Sequence, residues 1–549
     1  ISPIYGSTYP DILGGVGITF EVGSSRGLLQ ESVSGELTFA NTIRRHVVTG
    51  IATVKAGVGE KKILLEYQKD FYKTAFEDAE DQSVRAYVFG DENDQTLTNK
   101  FLNLLLQHNL DVYKLENEKT VDGQTFTSEA GYVVPTSQPN YRIIHDIFKS
   151  YTSYSDSVFY DITAWSLVHG YGIKYDEIKS GSYSHHWGSK VDSLPEVKGQ
   201  VIGGESSYAY LLSWSDYNAS VAFYNLLDKG IRARVAYQPF TSPTSAGPVE
   251  FGYGSVIVSV TEQDSFNAEE LYEEVKSTAE EFGVTFHTAE TGLNTAGIDL
   301  GSNNAQVVEK PEAAIVFGHG VDANTAGEAW FLLNKHLGID ITKIESVNFG
   351  RVNLARYNTL LLVEGSYSTF DESVIEKIRV WVRNGGTLIT TANASVWAVK
   401  NKLVSENFLE DKDAIESDEE VVRYNYEERR DRRLAGRIPG VILEADIDLS
   451  HPIAFGLSSR KQLFIKENVH FLYPSSNAYG TVAQYLSEPH IAGFLNPENK
   501  EKVKNKASIL VANEGQGNVI LFSENPTFRS YWHSTSRLLL NAILFGNNL

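Results

Sequence analysis

The sequence has 549 residues, of which 42% are hydrophobic and 21% are charged. This balance excludes fibrous and disordered proteins. Since a domain typically has about 150 residues, the length predicts three or four domains. The net charge of −22 disfavours nucleic acid as a partner. The absence of Cys excludes disulfides, thiolate metal ligands and a cysteine nucleophile. No run of about 18 apolar residues occurs, so we expect no transmembrane segment.

Residues 1–80 predict one strand followed by two helices. The apolar run at 15–21, GVGITFE, is bounded by glycines and is typical of a buried strand. Apolar residues then recur at helical spacing over 39–54 and again over 64–75. One strand and two helices do not enclose a core, so we expect this segment to end a larger domain.

Strand and helix patterns alternate over residues 81–305 and favour mainly parallel α/β units, with one subdomain or two. The predicted strands are RAYVFG, VYKL, YAYLLSW and RARVAYQPF, and the predicted helices are Leu97–Leu110, Ala219–Leu227 and Ala268–Phe282. The polar stretch 301–311 ends in Pro and lacks periodicity, so we place a domain boundary there, near residue 305.

The alternation restarts over residues 306–549 and predicts a doubly wound, three-layer α/β domain. Its first strand, AAIVFGHG, ends in the turn Gly318-His319-Gly320, where such sheets commonly bind ligands. Later strands are TLLLVEG, GGTLITTA, SILVA and NVILFS, and predicted helices are Thr325–Leu337, Phe370–Val382 and Ser534–Phe545. We interpret the highly charged stretch 406–433 as a solvated insertion.

Three short motifs deserve a chemical interpretation. His287 and Glu290 form one HxxE pair, the spacing with which a helix holds zinc, but their surroundings are not helical. His185 and His186 are adjacent and fit a surface loop. The segment 23–27 fits G-x-S-x-G around Ser25, although no helix clearly follows and a glycine-rich loop is the better interpretation. Neither phosphate-binding glycine motif is present.

The segment 5–27, YGSTYPDILGGVGITFEVGSSRG, resembles the end of the catalytic domain of zinc carboxypeptidases of the carboxypeptidase A type. The segments 138–148, 156–172 and 437–456 look like the carboxy-terminal extension of large bacterial members of that family. The last domain of those proteins is similar in fold to class I glutamine amidotransferases. The resemblance covers nearly the whole chain and implies that it is the carboxy-terminal portion of such an enzyme.

The resemblance implies that Glu21 is the general base of peptide hydrolysis and that the intact enzyme uses zinc. The family's zinc ligands precede that glutamate, whereas only 20 residues precede Glu21 here and none is His. This portion of the enzyme would therefore hold no zinc site. The amidotransferase-like domain would lack a nucleophile, because the chain has no Cys and the equivalent strand end reads Thr391-Ala392-Asn393-Ala394-Ser395. The resemblance to this family also implies an extracellular, periplasmic or cell-surface location in a bacterium.

Three functional hypotheses follow. The first is that the chain is part of a zinc metallocarboxypeptidase that acts on peptide carboxy termini, and that the chain is inactive without the zinc segment. The second is a non-catalytic binding or scaffolding module for peptides or surface partners, formed by the α/β domains. The third is a serine hydrolase that uses Ser25. The sequence does not give the oligomeric state.

Overall fold

The computed structural model describes residues 5–159, 161–180, 187–409 and 423–549 and is mixed α/β with several sheets. The chain forms two compact units. The first comprises Ile1–Phe89, Leu104–Lys149 and Tyr175–Asp192, and the second comprises Gly90–Asn103, Ser150–Lys174 and Ser193–Leu549. None of the helices in the described ranges is long and apolar enough to cross a membrane. The three predicted domains stay a prediction.

The elements up to residue 192 belong mainly to the first unit. In chain order they are β1 (Leu29–Ser32), β2 (Gly35–Thr38), α1 (Phe39–Gly59), α2 (Lys61–Glu80), β3 (Val84–Phe89), α3 (Gln95–Gln107), β4 (Tyr113–Lys114), β5 (Lys119–Val121), β6 (Gln124–Phe126), β7 (Tyr132–Pro135), α4 (Tyr141–Phe148), α5 (Leu167–Tyr171) and β8 (Tyr175–Lys179). Helix α5 lies in the second unit.

The predicted strand at 15–21 does not form, and the end of a carboxypeptidase domain is not observed. This segment is irregular, and the side chains of Val16, Ile18 and Phe20 are 57%, 58% and 43% exposed. A strand needs a neighbour for its backbone hydrogen bonds, and the only strands beside it in sequence, β1 and β2, pair with each other. The two predicted helices do form, as α1 and α2.

The remaining elements belong to the second unit. They are β9 (Gln200–Ile202), β10 (Ala209–Leu212), α6 (Ala219–Asp228), β11 (Arg234–Ala236), β12 (Phe240–Thr244), β13 (Gly247–Phe251), β14 (Val256–Ser259), α7 (Ala268–Phe282), β15 (Thr285–Ala289), β16 (Ala296–Gly297), β17 (Ala305–Val307), β18 (Ala313–Phe317), α8 (Ala323–Trp330), β19 (Ile341–Glu345), β20 (Thr359–Leu362), α9 (Glu372–Arg383), β21 (Thr387–Thr391), α10 (Asn393–Lys400), α11 (Arg429–Ala435), β22 (Val441–Ile447), β23 (Lys461–Lys466), β24 (Thr481–Ala492), α12 (Pro497–Val503), β25 (Ala507–Glu514), β26 (Gly517–Phe522) and α13 (His533–Phe545).

The sheets of the middle region are mainly antiparallel, so the prediction of mainly parallel units is wrong there. Strands β10 and β11 are joined through helix α6 and run parallel, but β14 lies between them and pairs antiparallel with both. The first unit repeats this arrangement, with β7 between β3 and β4. The helical crossovers thus form as predicted, but in each case a later strand lies between the two parallel strands and pairs antiparallel with both.

The last sheet has the order β19-β18-β20-β21-β26-β25-β24-β22-β23. The first five strands are parallel and follow the order of a doubly wound sheet, and the other four continue it antiparallel. Because the chain places β19 on one side of β18 and β20 on the other, the carboxyl ends of β18 and β20 form the topological switch point. The charged insertion lies partly outside the described residues, and its helix α11 is largely exposed.

Helix α13 holds the two nine-stranded sheets of the second unit together. All its residues are buried. The Asn541 amide donates to the carbonyls of Ile453 and Phe455, at 2.9 Å each, and its oxygen accepts from Trp214 Nε1 at 3.0 Å. Arg537 donates to the carbonyl of Ser215 at 2.7 Å. The Asn541 side chain therefore satisfies three buried polar groups from two different segments.

Candidate functional site

The loops after β18 and β20 are fastened together at the switch point. The backbone N–H of Asp322 donates to the carbonyl of Glu364 at 2.8 Å, and Ser366 N–H donates to the Gly320 carbonyl at 2.7 Å. The Asp322 side chain also caps α8 by accepting from the N–H of Thr325 at 2.9 Å. These contacts hold the Glu364 side chain at the edge where the parallel strands end.

The turn from β21 into α10 has the shape of a nucleophile elbow. Ala392 has φ 49° and ψ −121°, a conformation that costs a non-glycine residue about 1–3 kcal/mol. Its N–H donates to the Phe522 carbonyl at 2.9 Å. The Ser395 hydroxyl donates to the same carbonyl at 2.8 Å. Neighbouring strand β26 therefore holds the strained turn, but the residue at its tip carries only a methyl group.

A chain of polar side chains runs past this elbow. Asn393, the first residue of α10, donates from Nδ2 to Glu364 Oε1 at 3.0 Å, and its Oδ1 lies 2.6 Å from His470 Nε2. Burial, with the charges of Lys466 and Lys400, lowers the His470 pKa to about 4. The imidazole is therefore neutral at pH 7 and can donate its Nε2 proton to the amide oxygen.

A buried ion pair between Lys466 and Glu524 fixes the loop that carries His470. The Lys466 ammonium is fully buried and donates to Glu524 Oε1 at 2.9 Å, Asn468 Oδ1 at 3.0 Å and the His470 carbonyl at 2.7 Å. The second Glu524 oxygen accepts from Ser508 at 2.7 Å. Each charge thus has its hydrogen bonds satisfied, as burial requires, and the backbone of His470 is held in place.

Glu467 is an exposed residue whose carboxyl group has a perturbed pKa. Its side chain is exposed, yet surrounding protein desolvates the carboxyl, and together with the charges of Glu328 and Glu364 this raises its pKa to about 7. The carboxyl therefore lies close to other protein groups, although the residue as a whole is exposed. Among the described residues, it takes part in no hydrogen bond.

Glu328 and Arg529 complete the edge. Asn525 donates to Glu328 Oε2 at 2.6 Å, and burial raises the Glu328 pKa. The Arg529 guanidinium donates to Asp161 at 2.9 Å, from a residue whose φ is 47°. The buried Tyr531 hydroxyl has no hydrogen-bond partner within the described chain, and its pKa is raised by burial and by the charge of Glu467.

The structure does not bring the sequence-predicted site residues together. Glu21 is exposed in the irregular segment of the first unit, and its implied role stays a prediction. The Ser25 hydroxyl donates to the Gly27 carbonyl at 2.7 Å and so stabilises the turn in which Ser25 lies. His319 is exposed beside the switch point, where the sequence placed a ligand site in general terms.

The HxxE pair supplies no metal site among the described residues. His287 lies on β15 and Glu290 follows that strand, so the pair is not on a helix, as expected. His185 and His186 lie outside the described residues. Within the described ranges no group of three or more His, Cys, Asp or Glu residues could hold a metal ion. The residues present there do not fit the zinc that the resemblance implied for the intact enzyme.

Comparison with known proteins finds similar solved structures at low identity. No protein-family model matches the chain, and no curated protein matches it. A ThuA-like protein from Bacteroides uniformis is 15% identical over 42% of this chain and 88% of its own, with a TM-score of 0.27. A ThuA-like protein from Parabacteroides merdae is 13% identical over 43% and 90%, with a TM-score of 0.30. Alpha-L-fucosidase isoenzyme 2 from Paenibacillus thiaminolyticus is 10% identical over 43% and 32%, with a TM-score of 0.27.

The identification as a zinc carboxypeptidase is therefore wrong, as are the peptidase activity and the zinc-dependent proteolysis that it implied. No family model or curated protein supports it. The similar solved structures include ThuA-like proteins and glycoside hydrolases. Short segments such as T-F-E occur in many proteins, and here the segment does not form the strand that would present Glu21.

Proposed function

We propose that the sheet from β18 to β26 is an amidotransferase-like module that binds a small polar molecule non-covalently at the carboxyl ends of its parallel strands. The observation that carries the proposal is the strained Ala392 at the elbow, beside the ordered chain Glu364–Asn393–His470. Strain of this kind is retained where the surroundings enforce it, most often at functional sites.

Covalent chemistry is not part of the proposal. An acyl transfer needs a hydroxyl or thiol at the elbow, and the Ala392 methyl group provides neither. The side chains around it can still donate and accept hydrogen bonds: the Asn393 amide does both, and Glu364 has a second oxygen beyond the one that Asn393 occupies. This combination can recognise a ligand without reacting with it.

The test is a ligand-observed NMR screen of small polar molecules against the full chain and the Asn393→Ala variant. Asn401→Ala is the matched control, because Asn401 follows the same helix and makes a local bond to the Trp397 carbonyl at 2.8 Å. We expect mutually competing ligands whose affinity falls about tenfold in Asn393→Ala, the cost of one hydrogen bond to a charged group, and is unchanged in Asn401→Ala. A parallel assay should detect no ammonia release from glutamine. The proposal would be refuted by ligand affinities that do not change in Asn393→Ala, or by hydrolysis of glutamine.

A further inference from the structure

The second unit contains a cavity of about 370 Å³, which is lined by residues of β10, β13 and β15 and of two shorter segments. The shorter segments are residues 92–95, which lead into α3, and residues 196–200, which lead into β9. Small-molecule sites commonly enclose about 300–1,000 Å³. This cavity is therefore large enough to hold a small molecule.

Hydrogen bonds and ring packing fix the segments around this cavity. Thr96, one residue beyond the first short segment, donates from its backbone N–H and from its hydroxyl to Asp216, at 3.1 and 2.6 Å. Strand β9 pairs with β15. The rings of Phe251 and His287, which both line the cavity, meet edge to face with their centroids 5.9 Å apart. Because the cavity is formed by the fold itself, a ligand does not need to order its walls.

His287 brings unused hydrogen-bonding capacity to the cavity. Its Nδ1 is enclosed by protein and has no hydrogen-bond partner in the described chain, whereas its Nε2 is accessible and makes no hydrogen bond there either. Burial lowers the His287 pKa, so the ring is neutral at pH 7. An enclosed N–H without an acceptor is rarer than an enclosed acceptor without a donor. This favours the tautomer that carries its proton on Nε2 and can donate to a ligand.

The polar part of the lining is mostly neutral and supplies both donors and acceptors. Its amide, hydroxyl and imidazole groups belong to Asn93, Gln95, Gln200, Ser213, Thr285 and His287. Leu212, Val249 and Phe251 add apolar surface. Hydroxyl groups both donate and accept hydrogen bonds. A polyhydroxylated ring can therefore bond to the polar groups while its C–H groups contact the apolar residues.

The charged residues of the lining disfavour ionic ligands. Asp216 already accepts two hydrogen bonds from Thr96, and Glu196 has a lysine partner at 3.5 Å. Glu92 and Glu250 have neither an ion pair nor a hydrogen bond in the described chain, so a phosphate or carboxylate would be repelled. An ammonium group could bind these two glutamates, but it would leave the amide and imidazole donors without acceptors.

We propose that this cavity binds a neutral monosaccharide, whose hydroxyl groups hydrogen-bond to the His287 Nε2–H and to the Asn93 amide. The site uses different residues from the one proposed at the switch point. Either proposal can therefore fail while the other stands.

The experiment is saturation-transfer NMR on the full chain at pH 7 with glucose, galactose and mannose as probes. The 6-phosphate and the 2-amino derivative of each sugar carry a negative or a positive charge on the same ring. We expect at least one of the three neutral sugars to bind. Its 6-phosphate should not bind, and its amino derivative should bind no more tightly than the neutral sugar.

Variants locate the bound sugar. His287→Phe keeps a ring against Phe251 but removes the donor, and it should weaken binding about fivefold, as expected for one hydrogen bond between neutral groups. Asn93→Ala changes an exposed residue. It should weaken binding by a similar factor, and it provides the same test if His287→Phe does not fold. His46→Phe, the same change at an exposed position of α1, should leave the affinity unchanged.

The proposal is overturned if none of the three neutral sugars binds, if a charged derivative binds more tightly than its parent sugar, or if Asn93→Ala leaves the affinity unchanged. A sugar whose affinity falls in Asn393→Ala but not in Asn93→Ala binds at the switch point, which supports the proposed function and overturns this inference. A sugar whose affinity falls in Asn93→Ala belongs to this cavity and does not count in the test of the proposed function.

Discussion

Lys466→Met tests whether the buried ion pair stabilises the floor of the site. At 2.9 Å, and with an effective dielectric constant of about 20, the two charges attract by about 6 kcal/mol before desolvation is subtracted. Removing the ammonium leaves Glu524 buried with hydroxyl donors but no counter-charge. We expect the free energy of unfolding to fall by about 3–5 kcal/mol.

The double variant Lys466→Met/Glu524→Gln separates the charge effect from lost packing. It removes both charges, so it should cost at least about 2 kcal/mol less than the sum of the two single variants. Urea denaturation followed by tryptophan fluorescence measures all three. Lys461→Met on the same strand is the control, because that lysine is 78% exposed in its pair with Glu444 and should cost less than about 1 kcal/mol. Additive losses in the double variant would refute the reasoning.

Three further changes have expected outcomes. Ala392→Gly should raise the free energy of unfolding by about 1 kcal/mol because it relieves the positive φ, whereas Ala394→Gly, two residues later inside α10, should lower it by a similar amount; urea midpoints that move together would contradict this. The raised Glu467 pKa means that wild-type stability falls between pH 4.5 and about pH 7. Glu467→Gln should therefore melt higher than wild type at pH 8 and equally near pH 4.5 in calorimetry, and a constant difference would refute that sign. Asn541→Leu leaves three buried groups unpaired and should cost about 3 kcal/mol or more, while Trp214→Phe, which frees only one acceptor, should cost less.

Regular elements with strong local patterns could be predicted from the sequence. The predicted helix Ala268–Phe282 agrees with α7 at both ends, where Asn267 caps its start and Gly283, with φ 67°, ends it. Such caps act over a few residues, so local sequence reveals them. The run 15–21 failed for the opposite reason: whether an apolar segment becomes a strand depends on a partner strand elsewhere in the chain.

The candidate site was only partly predictable. The missing nucleophile was predictable at the strand end 391–395, because the predicted strand GGTLITTA ends there and the chain has no Cys. The partners Glu364, His470 and Glu467 belong to no motif, since they come from two separate loops, after β20 and after β23, that only the sheet order brings together. Pairing between distant strands, such as β21 with β26, is decided by the packing of the whole sheet and leaves no spacing in the sequence.

The position of α13 along the chain has a consequence for protein synthesis. This wholly buried helix follows every strand of both nine-stranded sheets. At about 5–20 residues per second, a ribosome needs on the order of half a minute between emergence of β9 and emergence of α13. During that time the nascent chain exposes apolar surface that only the last helix covers. Chaperone dependence and sensitivity to premature termination before His533 should therefore be properties of this molecule.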